Sequence, residues 1–262
     1  MSTYKVQDSD YVIAEVDGRK RRLLTMSAFE RFSPSILGLG ELNSAAVATD
    51  AIAAVFDLNG FTYFCKQIEP HLSVPAFLSM FLDWLMHKIR AEMVHQEFGP
   101  GVMLLGPLPF FVKFMGDGLL VLWDVSKADD NARRNIIVTG REICLRYARD
   151  FYPLLDAKVS YPPTLLRCGL ARGTVYSVGN GNDYVGSCIN MAARIQKLPG
   201  ATFAFNRRGI NLDDAAAGDF FKKRIVVKKM SVRGIGDKEL ICVLKSEFDE
   251  MSPDDKSRYH DI

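Results

Sequence analysis

"AAVFDLNGFT", residues 53–62, runs four apolar side chains into a carboxylate and then turns at once through Asn59 and Gly60. Residues 53–58 read as a buried strand, because a short apolar run is bounded by a turn signal. Asp57 near its end is costly to bury unless something charged meets it. Further on, "PFFVKFMGDGLLVLW", residues 109–123, sets two apolar runs around Gly116-Asp117-Gly118. Asp-Gly tolerates the positive backbone angles of a tight turn, so this stretch predicts a hairpin with Asp117 at its tip. If strand and hairpin are neighbours, both carboxylates converge at one sheet edge and can hold a pair of divalent cations. Such a pair activates an attacking oxygen and neutralises a leaving pyrophosphate. Taken alone, Asp117 reads more simply as a turn residue.

Composition narrows the alternatives. With 262 residues, 48% hydrophobic and 24% charged, the chain is an ordinary globular protein with enough apolar residues for a sizeable core. A net charge of +2 argues against a nucleic-acid-wrapping protein, which needs a strongly basic face. Cys65, Cys144, Cys168, Cys188 and Cys242 are scattered without a CxxC pair, so neither a zinc knuckle nor a disulfide framework is indicated. The start, "MSTYKVQDSD", carries no basic-then-apolar signal, and the most apolar run, "GVMLLGPLPFFV", is short and broken by Gly and Pro. A cytoplasmic protein with no membrane partner is the expectation.

Strand and helix signals interleave around these two motifs. Ser73 is expected to cap a helix whose stripe Phe77, Leu78, Phe81, Leu82, Leu85 and Ile89 keeps helical spacing and belongs to the core. A second helix is expected over 129–151, with Ile136, Ile137, Gly140, Ile143, Cys144, Tyr147 and Phe151 on one face. "TLLRCGLARGTVYSVGNGNDYVG" predicts two strands and a glycine-rich loop, "SCINMAARIQKL" a short helix, and "KRIVVKKMSVRGIGDKELICVLK" a last hairpin. The basic cluster "RKRR" at 19–22 reads as a solvated face or strand end. The expected class is α/β or α+β around one sheet. The chain divides into an N-terminal extension over 1–50, a main domain over 51–245 and a polar tail over 246–262.

Taken in order, "DLNGFT", "KFMGDG", "RCGLARGTVYSVG", "DYVGSCINMAAR" and "VRGIG" resemble the motif series of the class III nucleotidyl cyclase catalytic domain. The resemblance implies an α+β fold with a ferredoxin-like βαββαβ core and additional strands and helices, working as a head-to-tail homodimer with sites at the interface. It matches Asp57 and Asp117 to two metal-binding aspartates for Mn²⁺ or Mg²⁺, with Leu58 lending its backbone carbonyl. Phe61 and Thr62 match the turn that receives the triphosphate, and Arg167 a phosphate-contacting arginine. Asn190 and Arg194, four apart and so on one helical face, match the pair that orients the ribose and stabilises charge on the α-phosphate. Lys113 and Asp183 match the base-reading positions. Arg233 falls where the family usually has a phosphate-binding lysine, which keeps the charge but not the geometry.

The chemistry asks for these residue types on its own account. A 3′-hydroxyl is a poor nucleophile near neutrality, and carboxylates are the ligands that Mg²⁺ and Mn²⁺ prefer for activating it. A guanidinium placed where charge develops on non-bridging oxygens contributes most in the transition state. The connection between Asp57 and Asp117 is longer than usual in the family, with the extra residues in "EFGPGVMLLGPLP". Within class III, the chain looks like the pyrimidine cyclases of the bacterial Pycsar anti-phage system, whose cyclic UMP or cyclic CMP switches on a separate effector. The expected function is UTP cyclisation, with CTP or ATP as alternative substrates and a catalytically inactive nucleotide-binding regulator as the alternative of another class.

Overall fold

The computed structural model describes residues 4–67, 69–155, 159–212 and 218–262. The chain divides into two compact units, one of Met1–Ala48 with Tyr176–Val185, the other of Thr49–Val175 with Gly186–Ile262. The short segment Tyr176–Val185 groups with the N-terminal residues.

The smaller unit opens with an antiparallel hairpin of β1 (Tyr11–Val16) and β2 (Arg19–Leu24). The "RKRR" cluster lies on β2, exposed, with the Arg22 guanidinium 4.0 Å above the Tyr11 ring. A short helix α1 (Met26–Glu30) follows, its N-terminus capped by the Thr25 hydroxyl, which accepts from the Ala28 N–H. Val47 and Ser177 join the two segments of this unit through backbone and hydroxyl hydrogen bonds of 3.0 and 2.8 Å.

In the larger unit, β3 (Ala48–Asn59) is the central strand and is buried on both faces over Ala51–Phe56. Gly60, at φ +86°, turns the chain into the single-turn helix α2 (Phe61–Phe64). Helix α3 (Pro70–Met93) buries Phe77, Phe81, Leu85 and Ile89, the stripe read from the sequence. It begins three residues before the expected cap. Proline at the first helical position is preset for a helix start, and the Ser73 hydroxyl donates back to the Glu69 carbonyl at 3.3 Å instead of capping. The hairpin β4 (Val94–Phe98) and β5 (Gly101–Leu104) then occupies part of the long connection.

The predicted Asp-Gly hairpin forms from β6 (Phe111–Phe114) and β7 (Gly118–Asp124). Helix α4 (Asp130–Arg146) is capped by the Asp129 carboxylate, which accepts from the Ala132 N–H at 2.7 Å. A π-helical turn over Tyr147–Phe151 and the short α5 (Tyr152–Leu155) continue it, so the expected helix over 129–151 changes winding in its last turns.

"LLRCGLARGTVYSV" is one strand, β8 (Leu165–Val178), where two were expected. Gly173 within it serves a close approach, since a Cβ there would lie 3.1 Å from the Cys188 Cβ. Then come β9 (Asp183–Val185), α6 (Ser187–Ile195), β10 (Phe203–Asn206), α7 (Gly218–Arg224), β11 (Ile225–Val232) and β12 (Gly236–Leu244). The polar C-terminal stretch carries α8 (Lys245–Glu250) and α9 (Pro253–Lys256) and buries Met251 and Tyr259. Among the described residues no helix is long and apolar enough to cross a membrane.

The main sheet runs β11-β12-β10-β8-β3-β7-β6. Within it, β3-α3-β6-β7-α4-β8 is the βαββαβ unit with its strands in the spatial order 4-1-3-2, the α+β ferredoxin-like arrangement. Strand periodicity assigns the faces. Ile52, Ala54, Phe56 and Leu58 of β3, with Leu166, Cys168 and Leu170 of β8, join the core that includes α3 and α4. The alternate residues, Gly169 among them, face the side where α6 packs. That alternation puts Asp57 and Arg167 on the α6 side.

Candidate active site

The turn chemistry of the two motifs places both aspartates at one end of the β3–β7 pair. Asp57 is opposite Gly118 in register, and the Leu58 N–H donates to the Asp117 carbonyl at 2.9 Å. Gly116, at φ +96°, makes the turn, while Gly118 is required by the sheet itself, as a Cβ there would sit 1.9 Å from the Phe56 carbonyl oxygen. Leu58 buries its side chain, so only its backbone is available to a ligand. Phe61 is buried too, whereas Thr62 is exposed at the start of α2. The first N–H groups of any helix lack intrahelical partners.

Half-burial pushes the Asp57 carboxyl above the usual carboxylate range, and the Asp117 carboxylate pushes it further; Lys197 and Arg167 pull the other way without offsetting this. Among the described residues no group of three or more His, Cys, Asp and Glu side chains is placed to hold a metal ion. The protein donors here are therefore two carboxylates and backbone carbonyls. That set fits Mg²⁺ or Mn²⁺, which take one or two carboxylates and complete their shell with waters and substrate phosphates.

Asn190 and Arg194 lie on α6. This helix buries Cys188, Met191, Ala192 and Ile195 and exposes Asn190 and Arg194. It sits close on β8 because residue 169 is glycine. A Cβ there would lie 2.3 Å from the Ala192 carbonyl oxygen and 2.6 Å from the Gln196 nitrogen. Gly169→Ala is therefore expected to lower stability by about 1–3 kcal/mol in denaturant unfolding, the usual cost of overpacking. Unchanged stability would mean that α6 is not held there. Asn190 and Arg194 line a cleft of about 270 Å³ together with Arg172, Arg208 and Glu239. Arg172 is committed elsewhere, donating to Asp50 at 2.6 Å and to the Gly209 carbonyl at 2.6 Å. Arg233 is exposed beside Gly234 in the β11–β12 turn, and a Cβ on Gly234 would stand 3.4 Å from Arg194 Nη2.

A search of solved structures finds a match to the crystal structure of the guanylyl cyclase Cya2, with TM-score 0.55 and 20% sequence identity over 77% of this chain and 94% of that one. The chain has the class III cyclase fold. A class III adenylyl cyclase-like ATP-binding protein from Pseudomonas aeruginosa also matches, at TM-score 0.46 and 15% identity over 68% of this chain and 37% of that one. No protein-family model and no curated protein matches the sequence.

On this cyclase fold, Asp57, Leu58 and Asp117 share one sheet edge, within reach of the Arg167 charge. Asn190 and Arg194 share a second location, with Arg233 beside it. Lys113 is half-buried on β6 opposite Leu120, in the larger unit. Asp183 belongs to the smaller unit, where its carboxylate accepts from the Tyr184 N–H at 2.9 Å. Three cations went unnoticed in the sequence. Lys197 acts on Asp57, and Arg258 and His260 line a cleft with Arg194 and Arg233. Of these, only Lys197 carried a signal, three residues beyond Arg194 along the same helical face.

Proposed function

We propose that the chain is a homodimeric uridylate cyclase that converts UTP to 3′,5′-cyclic UMP and pyrophosphate, with CTP the next best substrate. The observation that carries the reading is the pair Asp57 and Asp117 on a class III fold, with the Asp57 carboxyl held above its ordinary range by burial and by its neighbour. A half-buried carboxylate beside a second, exposed one is disfavoured by itself and favoured once cations bind. Asp57, Asp117 and the Leu58 carbonyl would hold two Mn²⁺ or Mg²⁺ ions, and bound there such ions would supply Lewis acidity for the 3′-hydroxyl and charge neutralisation for the pyrophosphate.

The chain's own residues do the rest. The turn at Phe61 and Thr62, with Arg167 and Arg233, binds the triphosphate. Asn190 orients the ribose, and Arg194 stabilises the charge that grows on the α-phosphate. The resemblance gives Lys113 the role of donor to a uracil carbonyl and Asp183 that of acceptor from the ring N–H, roles that cytosine and adenine would also satisfy. The resemblance to Pycsar cyclases supports the preference for uracil and, with it, a role for the product in anti-phage signalling through a separate effector.

One chain carries both residue sets, and in the proposed dimer they act from opposite chains, which gives two equivalent sites. Pyrophosphate release from UTP is expected only with Mn²⁺ or Mg²⁺ present, and chelation is expected to stop it. Release that continues at the same rate in chelator would contradict the reading.

A further inference from the structure

The C-terminal stretch is fastened to the larger unit at several points. The Thr202 hydroxyl bonds Glu247, and Met251 packs on Gly200, where a Cβ would lie 2.7 Å from the Met251 Cγ. Tyr259 is buried edge-on against Phe248, with ring centroids 5.5 Å apart. The Lys229 and His260 backbones exchange two hydrogen bonds of 2.8 Å, adding a bridge to β11.

This docking brings Arg258 and His260 to a cleft of about 630 Å³ that also takes in Arg194, Lys197 and Arg233. All five side chains are on exposed residues, and none forms an ion pair with a described residue. The nearest acid in sequence, Asp261, is engaged by Lys228 at 2.6 Å. The remaining wall is largely apolar, from Leu198, Pro199, Met230 and Val232. Three arginines, a lysine and a histidine thus converge around one concavity. Like charges that converge over low-dielectric walls focus a field on whatever anion enters.

We infer that this cleft binds the polyphosphate part of the nucleotide and that Arg258 and His260 of the C-terminal stretch are binding residues in it, together with Lys197. The inference rests on the cyclase reading for the nature of the anion. Its chemistry, a compact multivalent phosphate, stands independently of the base. Arg258 supplies a forked donor for phosphate oxygens, and His260 adds a ring N–H donor.

The test is calorimetric titration of the full-length, metal-free protein with inorganic pyrophosphate. The wild type is expected to bind. Arg258→Gln is expected to lower affinity by about 10-fold, as for loss of a charged hydrogen-bond donor, and His260→Gln to lower it by less. Both side chains are exposed, so thermal melting should show intact folding. Lys256→Gln removes a nearby cation outside the cleft and is expected to leave affinity unchanged. Failure of the wild type to bind, unchanged affinity in Arg258→Gln, or an equal loss in Lys256→Gln would overturn the inference. Selective loss in Arg258→Gln without cyclic product from any nucleoside triphosphate would keep this anion site and remove the cyclase reading. Cyclisation with pyrophosphate affinity insensitive to Arg258→Gln would do the reverse.

Discussion

Asp57→Asn and Asp117→Asn are each expected to lower cyclisation by about 10²–10³-fold or more, the scale of losing a preorganised electrostatic element, while leaving a folded dimer. Neither side chain contributes core volume. Asp57 is half-buried at the end of β3 on the face away from the α3/α4 core, and Asp117 is exposed at the hairpin tip. Folding is in fact expected to improve for Asp57→Asn in the absence of metal. A carboxyl whose folded-state pKa is raised holds its proton more tightly in the folded protein, so it adds stability as pH falls and opposes folding once ionised. Removing that charge should raise the melting temperature at neutral pH in chelator. The advantage should shrink as pH drops through the raised Asp57 pKa and vanish below the ordinary carboxylate range. Mn²⁺ should reverse the order, stabilising the wild type and leaving the variant unmoved. Normal turnover in either variant would remove the carboxylates from the site.

Arg194→Ala is expected to lower kcat by about 10²–10³-fold with a smaller change in KM, because a guanidinium facing developing charge acts mainly in the transition state. Arg194 is exposed on α6, anchored by neighbours on the buried face, so the helix should survive its loss. The decisive result is complementation. Mixing inactive Asp57→Asn chains with inactive Arg194→Ala chains gives, after random exchange, heterodimers in half of the assemblies. In each of these, one site carries both lesions and the other carries none if the two residues act from opposite chains. Activity should therefore return to about a quarter of the wild-type level. No recovery after verified exchange would place both residues in a site built within one chain.

The parts of the fold that follow from local chemistry were legible in the sequence. The strand around Ala53–Leu58, the Gly116-Asp117-Gly118 hairpin and the apolar stripe of α3 all carry their signal within a dozen residues. The errors came where tertiary packing overrules local punctuation. "TLLRCGLARGTVYSVG" reads as two strands, yet Leu165–Val178 is one strand because it is paired on both sides, with β3 and β10. Ser73 looks like a cap, yet Pro70 starts the helix a turn earlier. The strand "FAFN" at Phe203–Asn206 is too short to announce itself and forms by pairing in parallel with β8.

The candidate site divides the same way. Asp57 and Asp117 draw attention in the sequence because each sits in its own turn, whereas Asn190 and Arg194 come from the motif resemblance, to which helical spacing adds only that they share one face. Arg258 and His260 were not readable, since nothing in "SRYHDI" shows that Tyr259 is buried and turns its neighbours toward Arg194. Lys113 and Asp183 are a different case. Their base-reading role rests on motif position, and the two residues lie in different units of the chain.

The central claim is pyrimidine cyclisation, and one incubation tests it most directly. Purified protein is given UTP, CTP, ATP and GTP in equimolar mixture with Mn²⁺, and the products are identified by mass. Cyclic UMP is expected as the main product, cyclic CMP second, cyclic AMP a distant third and cyclic GMP least. Cyclic AMP or cyclic GMP as the main product would contradict the pyrimidine assignment, and no cyclic nucleotide at all would contradict the cyclase itself.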